Sequence, residues 1–207
     1  MSTWIVLRAA GIGAYLMLFL SVAWGMLATT SLVTERVAKP TSTQFHQFVA
    51  TVGLALLGIH LGGLLIDAFM PFDVADLLVP MSSDFRPVAT AFGIVAMYLM
   101  VVVMASSWTR KRLGIAWWRR LHLLAVPAFT LSMVHGVFAG TDTSRPWMWG
   151  IYLATGAITL FLVIVRGLTA GYRPPRAARP EHAAPKAGPG GAARAEPIRE
   201  PTQPASI

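Results

Sequence analysis

Four histidines carry most of the chemistry that this sequence offers. His46 and His60 bound the stretch "HQFVATVGLALLGIH", fourteen positions apart with no charged residue between them. His122 and His135 lie thirteen positions apart in a second apolar stretch, with Pro127 between them. An imidazole in so apolar a segment is costly unless something satisfies it, and an ionisable group inside a membrane span marks function by default. Fourteen residues at about 100° each bring His60 to within roughly 40° of the face of His46 on a helix. Gly53, seven residues from each, shares that stripe and serves either ring clearance or close helix packing. Thirteen residues leave His122 and His135 roughly 140° apart on an ideal helix. Either Pro127 kinks or rewinds that helix, or His122 sits at its frayed inner end.

The elements that position these residues follow from hydropathy. The chain has 207 residues, 55% hydrophobic and 13% charged, too apolar for an ordinary soluble domain. Charge-free stretches run from about 9 to 34, 47 to 66, 87 to 109, 123 to 141 and 146 to 165. Each has the roughly 20 residues a helix needs to cross a hydrocarbon core about 30 Å thick. Backbone cannot sit unpaired in lipid, so the expected fold is all-α, a membrane bundle of five transmembrane helices. The first run is too long for a secretory signal and offers no good small-x-small cleavage site, so it reads as a retained helix. The connection at 67–86 holds Pro71 and Pro80 and is followed at once by Pro87, which argues against any helix there. Residues 1–171 form the expected membrane domain. Residues 172–207, rich in Ala, Pro, Gly and Arg, form an expected disordered tail, which contains His182.

Charge placement sets the expected topology. Arg36, Lys39, Arg110, Lys111, Arg112, Arg119 and Arg120 lie in the 1–2 and 3–4 connections, and further basic residues follow the last span. The positive-inside rule then puts the N-terminus outside and the C-terminus in the cytoplasm. The net charge of +8 is accounted for by this asymmetry, and no nucleic-acid role is expected. Six of the seven tryptophans (Trp4, Trp108, Trp117, Trp118, Trp147 and Trp149) fall at span ends, as an aromatic belt. With no cysteine in the chain, disulfides, thiolate metal sites and iron–sulfur clusters are excluded.

Helices 2 and 4 run in the same direction, so His46 pairs with His122 at the inner level and His60 with His135 at the outer. The levels are about 20 Å apart at ~1.5 Å per residue. Two ligands per level fall short of the three or four protein ligands that zinc takes. A porphyrin supplies four nitrogens of its own and takes protein only at its axial positions, so two imidazoles per level complete two b-type haems. The alternative is a haem-free transporter that uses the histidines as a proton or metal relay. No Asp or Glu lies in any of the five stretches, which counts against it. A haem-free anchoring subunit is the third reading.

The motifs H-x13-H in helix 2 and H-x12-H-G in helix 4 resemble the ferric reductase-like transmembrane domain. So do the preceding "RKRLGIAWWRRLH", the inner "SSWTRKRLG" and the outer "HGVFAGTDTSRPWMW". The resemblance covers about residues 5 to 170. That family includes the haem-bearing membrane part of NADPH oxidases and the haem subunit of a bacterial methionine sulfoxide reductase system. It implies electron transfer across the membrane through two bis-histidine haems b, with His46, His60, His122 and His135 as ligands to the haem iron. Oxidases of the family carry flavin and nicotinamide domains on the same chain, and no flavin is expected on this one. The implied role is the membrane subunit of an oxidoreductase in the bacterial cytoplasmic membrane. A quinol or a separate flavoprotein would feed it, and an extracytoplasmic acceptor or reductase subunit would receive its electrons.

Anionic haem propionates favour cationic donors near the interface. Arg119 and Arg120 are the inner candidates for this role, and Arg8, Arg86 and Arg145 the outer ones. Arg8 stands out, since a cation on the outer side needs a reason to be there. Trp118 reads as a belt residue or as packing against the inner haem. Met97, Met100, Met104 and Met133 read as packing residues, and Ser106, Ser107 and Asp142 as helix caps.

Overall fold

Apolar runs bounded by proline and glycine become helices along the whole described chain. The computed structural model describes residues 2–28, 30, 33, 35–68 and 72–169, so the expected tail lies outside the described residues. Helix α1 covers Ser2–Leu27, α2 Lys39–Ile66, the short α3 Val74–Leu78 and α4 Pro87–Trp108. They are followed by α5 at Arg110–Leu113, α6 at Ile115–His122, α7 at Ala125–Ala139 and α8 at Pro146–Thr169. No strand occurs among the described residues. Five spans are long and apolar enough to cross a membrane: α1, α2, α4, the combined α6–α7, and α8. The protein is therefore an all-α, multi-pass membrane protein.

Proline opens three of these helices, at Pro40, Pro87 and Pro146, where its missing N–H costs nothing. α1 begins well before the charge-free run and takes Arg8 into the helix. At its other end, the N–H and hydroxyl of Thr30 both donate to the Leu27 carbonyl at 2.8 and 2.7 Å. Gly114, at φ +78°, separates α5 from α6 in a backbone conformation that a side chain would strain.

The 67–86 connection departs from expectation. Its prolines do not exclude a helix: α3 forms between Pro71 and Pro80. Asp73 and Asp76 close a reciprocal capping box there, at 2.9 and 3.0 Å. The Tyr98 hydroxyl donates to the Leu78 carbonyl, tying α3 to α4. Arg86 caps α4 in a left-handed conformation, φ +44°, and its guanidinium donates to the Phe138 carbonyl at 2.5 Å.

α2 packs along α1, and α4 along α7. α1 also touches α7 and α8, whereas α2 and α7 make no comparable contact. The core lies where α1, α7 and α8 meet, around Tyr15, Val22, Phe129, Met148 and Tyr152. Tyr15 stacks on Phe129 at 5.5 Å and meets Tyr152 edge-on at 5.5 Å. Its hydroxyl pairs with the Thr155 hydroxyl, so the polar tip of Tyr15 is satisfied across α1 and α8. Leu153, Leu160, Phe161 and Leu168 of α8 point outward and exposed, as a lipid-facing surface does.

Candidate functional site

The antiparallel α1–α2 pair positions two of the histidines. Gly11 lies against the His60 ring, Gly53 against Met17, and Gly25 against the His46 ring. A Cβ at Gly11 would come within 3.0 Å of the His60 ring, and one at Gly25 within 3.4 Å of the His46 ring. His60 Nδ1 is 3.0 Å from the Leu7 carbonyl, and His46 Nδ1 is 3.4 Å from the Ser21 hydroxyl. α4 does the same for α7. Gly93 lies against the His135 ring, and His135 Nδ1 is 2.8 Å from the Ala89 carbonyl. A carbonyl only accepts, so His60 and His135 carry their proton on Nδ1 and keep the Nε2 lone pair free. Metal-ligating histidines are oriented in this way.

His122 is placed differently. It stacks on Trp118, with ring centres 5.0 Å apart and planes at 29°, and its buried Nδ1 has no hydrogen-bond partner among the described residues. The fourth span breaks immediately after it. Pro127 has no N–H to offer the Leu123 carbonyl, which accepts instead from Val126 at 3.2 Å. Leu124 likewise donates three residues back, to Leu121 at 3.0 Å, and Leu123 and Leu124 have ψ of −20° and −12°. Each tightened residue turns about 20° further than an α-helical one, in the direction that closes the offset between His122 and His135. Both sequence alternatives are thus partly realised: Pro127 rewinds the span, and His122 ends the segment before the break.

The outcome is an inner pair of imidazoles with centres 6.0 Å apart and planes at 66°. Two metal–nitrogen bonds of about 2 Å, plus roughly 1 Å from each nitrogen to its ring centre, give about 6 Å for rings on either side of one ion. The outer pair, His60 and His135, shares the wall of a cavity of about 250 Å³ with Gly11, Gly93, Met97 and Met100. Gly53 also lines this cavity, although a Cβ there would meet Met17 at 3.0 Å, so close packing with α1 governs the position. Among the described residues, no group of three His, Asp or Glu side chains converges as a metal site would require. The donor set is two nitrogens per level, which suits a group that brings its own equatorial ligands.

The cationic candidates separate. Arg8 lines the cavity and is engaged with Asp142 through two contacts, Nε to Oδ2 at 2.8 Å and Nη2 to Oδ1. Asp142 is therefore an ion-pair partner joining the start of α1 to the α7–α8 turn. Ser106 and Ser107, also expected as caps, instead donate back to the Val103 carbonyl at 2.8 and 2.9 Å. Arg119, Arg120 and Arg145 are exposed and do not line the cavity, and Arg120 lies over the Trp117 ring at 5.1 Å. Gly11, Gly25 and Gly93 escaped the sequence reading. The signal was present, since Gly11 and Gly25 are fourteen residues apart, the same spacing as His46 and His60.

The five-span helical bundle, together with the family it matches, defines a class: a membrane electron-transfer component. Residues 10–133 match the family described as the ferric reductase like transmembrane component, and the chain belongs to that family. The match includes His46, His60 and His122 and stops two residues short of His135. Comparison with curated proteins and with solved structures gave no match.

Proposed function

We propose that this protein is a b-type membrane cytochrome that carries single electrons across the bilayer on two haems. His46 and His122 hold the inner haem, and His60 and His135 the outer. The observation that carries the reading is the paired imidazoles, with Nδ1 of His60 and His135 anchored on a neighbouring helix and the inner rings at 6.0 Å. Haem, when bound at both levels, supplies one-electron redox chemistry at two depths of the membrane. The chain's own residues orient the ligands and exclude water, through the apolar walls of α1, α2, α4 and α7. The N-terminus lies outside and the C-terminus in the cytoplasm, as the basic inner connections favour. The protein acts as the membrane subunit of a reductase, taking electrons from a flavoprotein or a quinol and passing them to an extracytoplasmic acceptor.

A reduced-minus-oxidised spectrum of the purified protein, expressed with ample haem, tests this directly. A b-type band with two haems per chain is expected, and its absence overturns the reading. His60→Ala is expected to remove the outer haem and leave most of the inner signal. Equal loss of both would contradict the two-level assignment.

A further inference from the structure

Three of the four histidines sit in the same local device, contributed each time by the neighbouring helix. A glycine lies close against the imidazole, and the residue four positions earlier, one turn away on the same face, offers an oxygen to Nδ1. The pairs are Leu7 with Gly11 for His60, Ser21 with Gly25 for His46, and Ala89 with Gly93 for His135. Two of these seats are on α1 and one is on α4, so the repetition is not a feature of one helix. We propose that Gly11, Gly25 and Gly93 are positioning residues that set the depth and rotation of the imidazoles, and hence the ligand field of each haem. This rests on the haem reading above.

The crowding is graded. A Cβ at Gly93 would lie 2.7 Å from His135 Nδ1 and 2.9 Å from Cε1 and Cγ; at Gly11 the closest approach is 3.0 Å, and at Gly25 it is 3.4 Å. The ring cannot swing away cheaply, because its Nδ1 is held by the same helix that would carry the new methyl. Pushing it out breaks the hydrogen bond that fixes the tautomer. Other glycines of these helices serve as controls. A Cβ at Gly13 would come within 3.0 Å of Leu56 Cδ1, as close as at Gly11, but it meets the flexible end of a leucine and no histidine. At Gly58 a Cβ meets nothing within 4 Å.

The test is the electron paramagnetic resonance spectrum and haem content of the full-length, haem-loaded protein, with His60→Ala used to assign the outer signal. Gly93→Ala and Gly11→Ala are expected to shift or remove the outer signal, the first more than the second, and to leave the inner one in place. Gly25→Ala, where contact is mildest, is expected to fold and to shift only the inner signal. Gly13→Ala and Gly58→Ala are expected to leave both unchanged. Should Gly93→Ala fail to accumulate, Gly11→Ala and Gly25→Ala carry the test. Wild-type protein without haem overturns the functional reading and this one with it. Two haems in the wild type, with unaltered spectra in all three variants, overturn this inference alone. So does a Gly13→Ala variant that shifts the outer signal as Gly11→Ala does.

Discussion

Removing either partner of the Arg8–Asp142 pair should have unequal consequences, because the two side chains differ in exposure. The Arg8 side chain is 36% exposed and that of Asp142 12%. Arg8→Gln leaves a carboxylate largely covered by protein. Breaking a buried pair costs about 3–5 kcal/mol, and the partial exposure of Arg8 lowers this to about 2 kcal/mol. Asp142→Asn leaves a guanidinium that reaches water and keeps a neutral partner, for about 1 kcal/mol or less. The double variant should be less destabilised than the sum, with a coupling of about 1 kcal/mol, since the two groups are in direct contact. Chemical unfolding in detergent, followed by near-ultraviolet circular dichroism, reads all three. There is also a local consequence. Arg8 adjoins Leu7, whose carbonyl accepts from His60 Nδ1, so Arg8→Gln should disturb the outer haem signal and spare the inner. Equal destabilisation by the two single variants, or strict additivity, would refute the account of the pair as a covered brace at this end of the bundle.

Two further outcomes concern the inner level. Trp118→Ala removes the ring stacked on His122 and should shift or weaken the inner haem signal alone, with Trp118→Phe restoring most of it; the inner and outer resonances, followed separately, check this. Pro127→Ala restores an N–H able to bond the Leu123 carbonyl and lets the fourth span become continuously α-helical. The offset between His122 and His135 should then return toward its ideal-helix value, with lower inner haem content and a more stable helix by circular dichroism.

Much of the fold was legible because lipid leaves the backbone few choices. Charge-free runs of about 20 residues can only be helices there, and the five spans appear where those runs lie. The ends were less legible, since they depend on partners far away in sequence. Arg8 looked like a boundary, but Asp142, 134 residues later, makes it compatible with the interior of α1. The α3 helix was missed because its prolines drew attention from a capping box written as Asp73 and Asp76, three residues apart. Spacing and direction led to the expectation that His46 faces His122, and those two rings lie 6.0 Å apart. The break before Pro127 was legible as a site of irregularity, but proline alone did not reveal the three-residue hydrogen bonds, Leu124 to Leu121 and Val126 to Leu123, that resolve it.

The glycines show why a site can be half visible in a sequence. A ligand-bearing helix announces itself through an unusual residue in an apolar run. The helix that seats the ligand contributes only the absence of a side chain and a backbone oxygen, and neither has a distinctive composition. α2 carries His46 and His60 and α7 carries His135, and they pack on α1 and α4 respectively, which carry none, while His122 ends α6. These three imidazoles are thus held from behind by a partner helix that supplies both the packing surface and an oxygen facing Nδ1, whereas His122 stacks on Trp118. α2 and α7 need not touch one another, and the interval between them stays open, lined by His60 and His135. Had the histidine helices packed directly together, their imidazoles would have been hydrogen-bonding core residues with no space for a flat ligand. On the proposed haem reading, this division of labour between seating and ligating helices would hold His46, His60 and His135 as axial ligands.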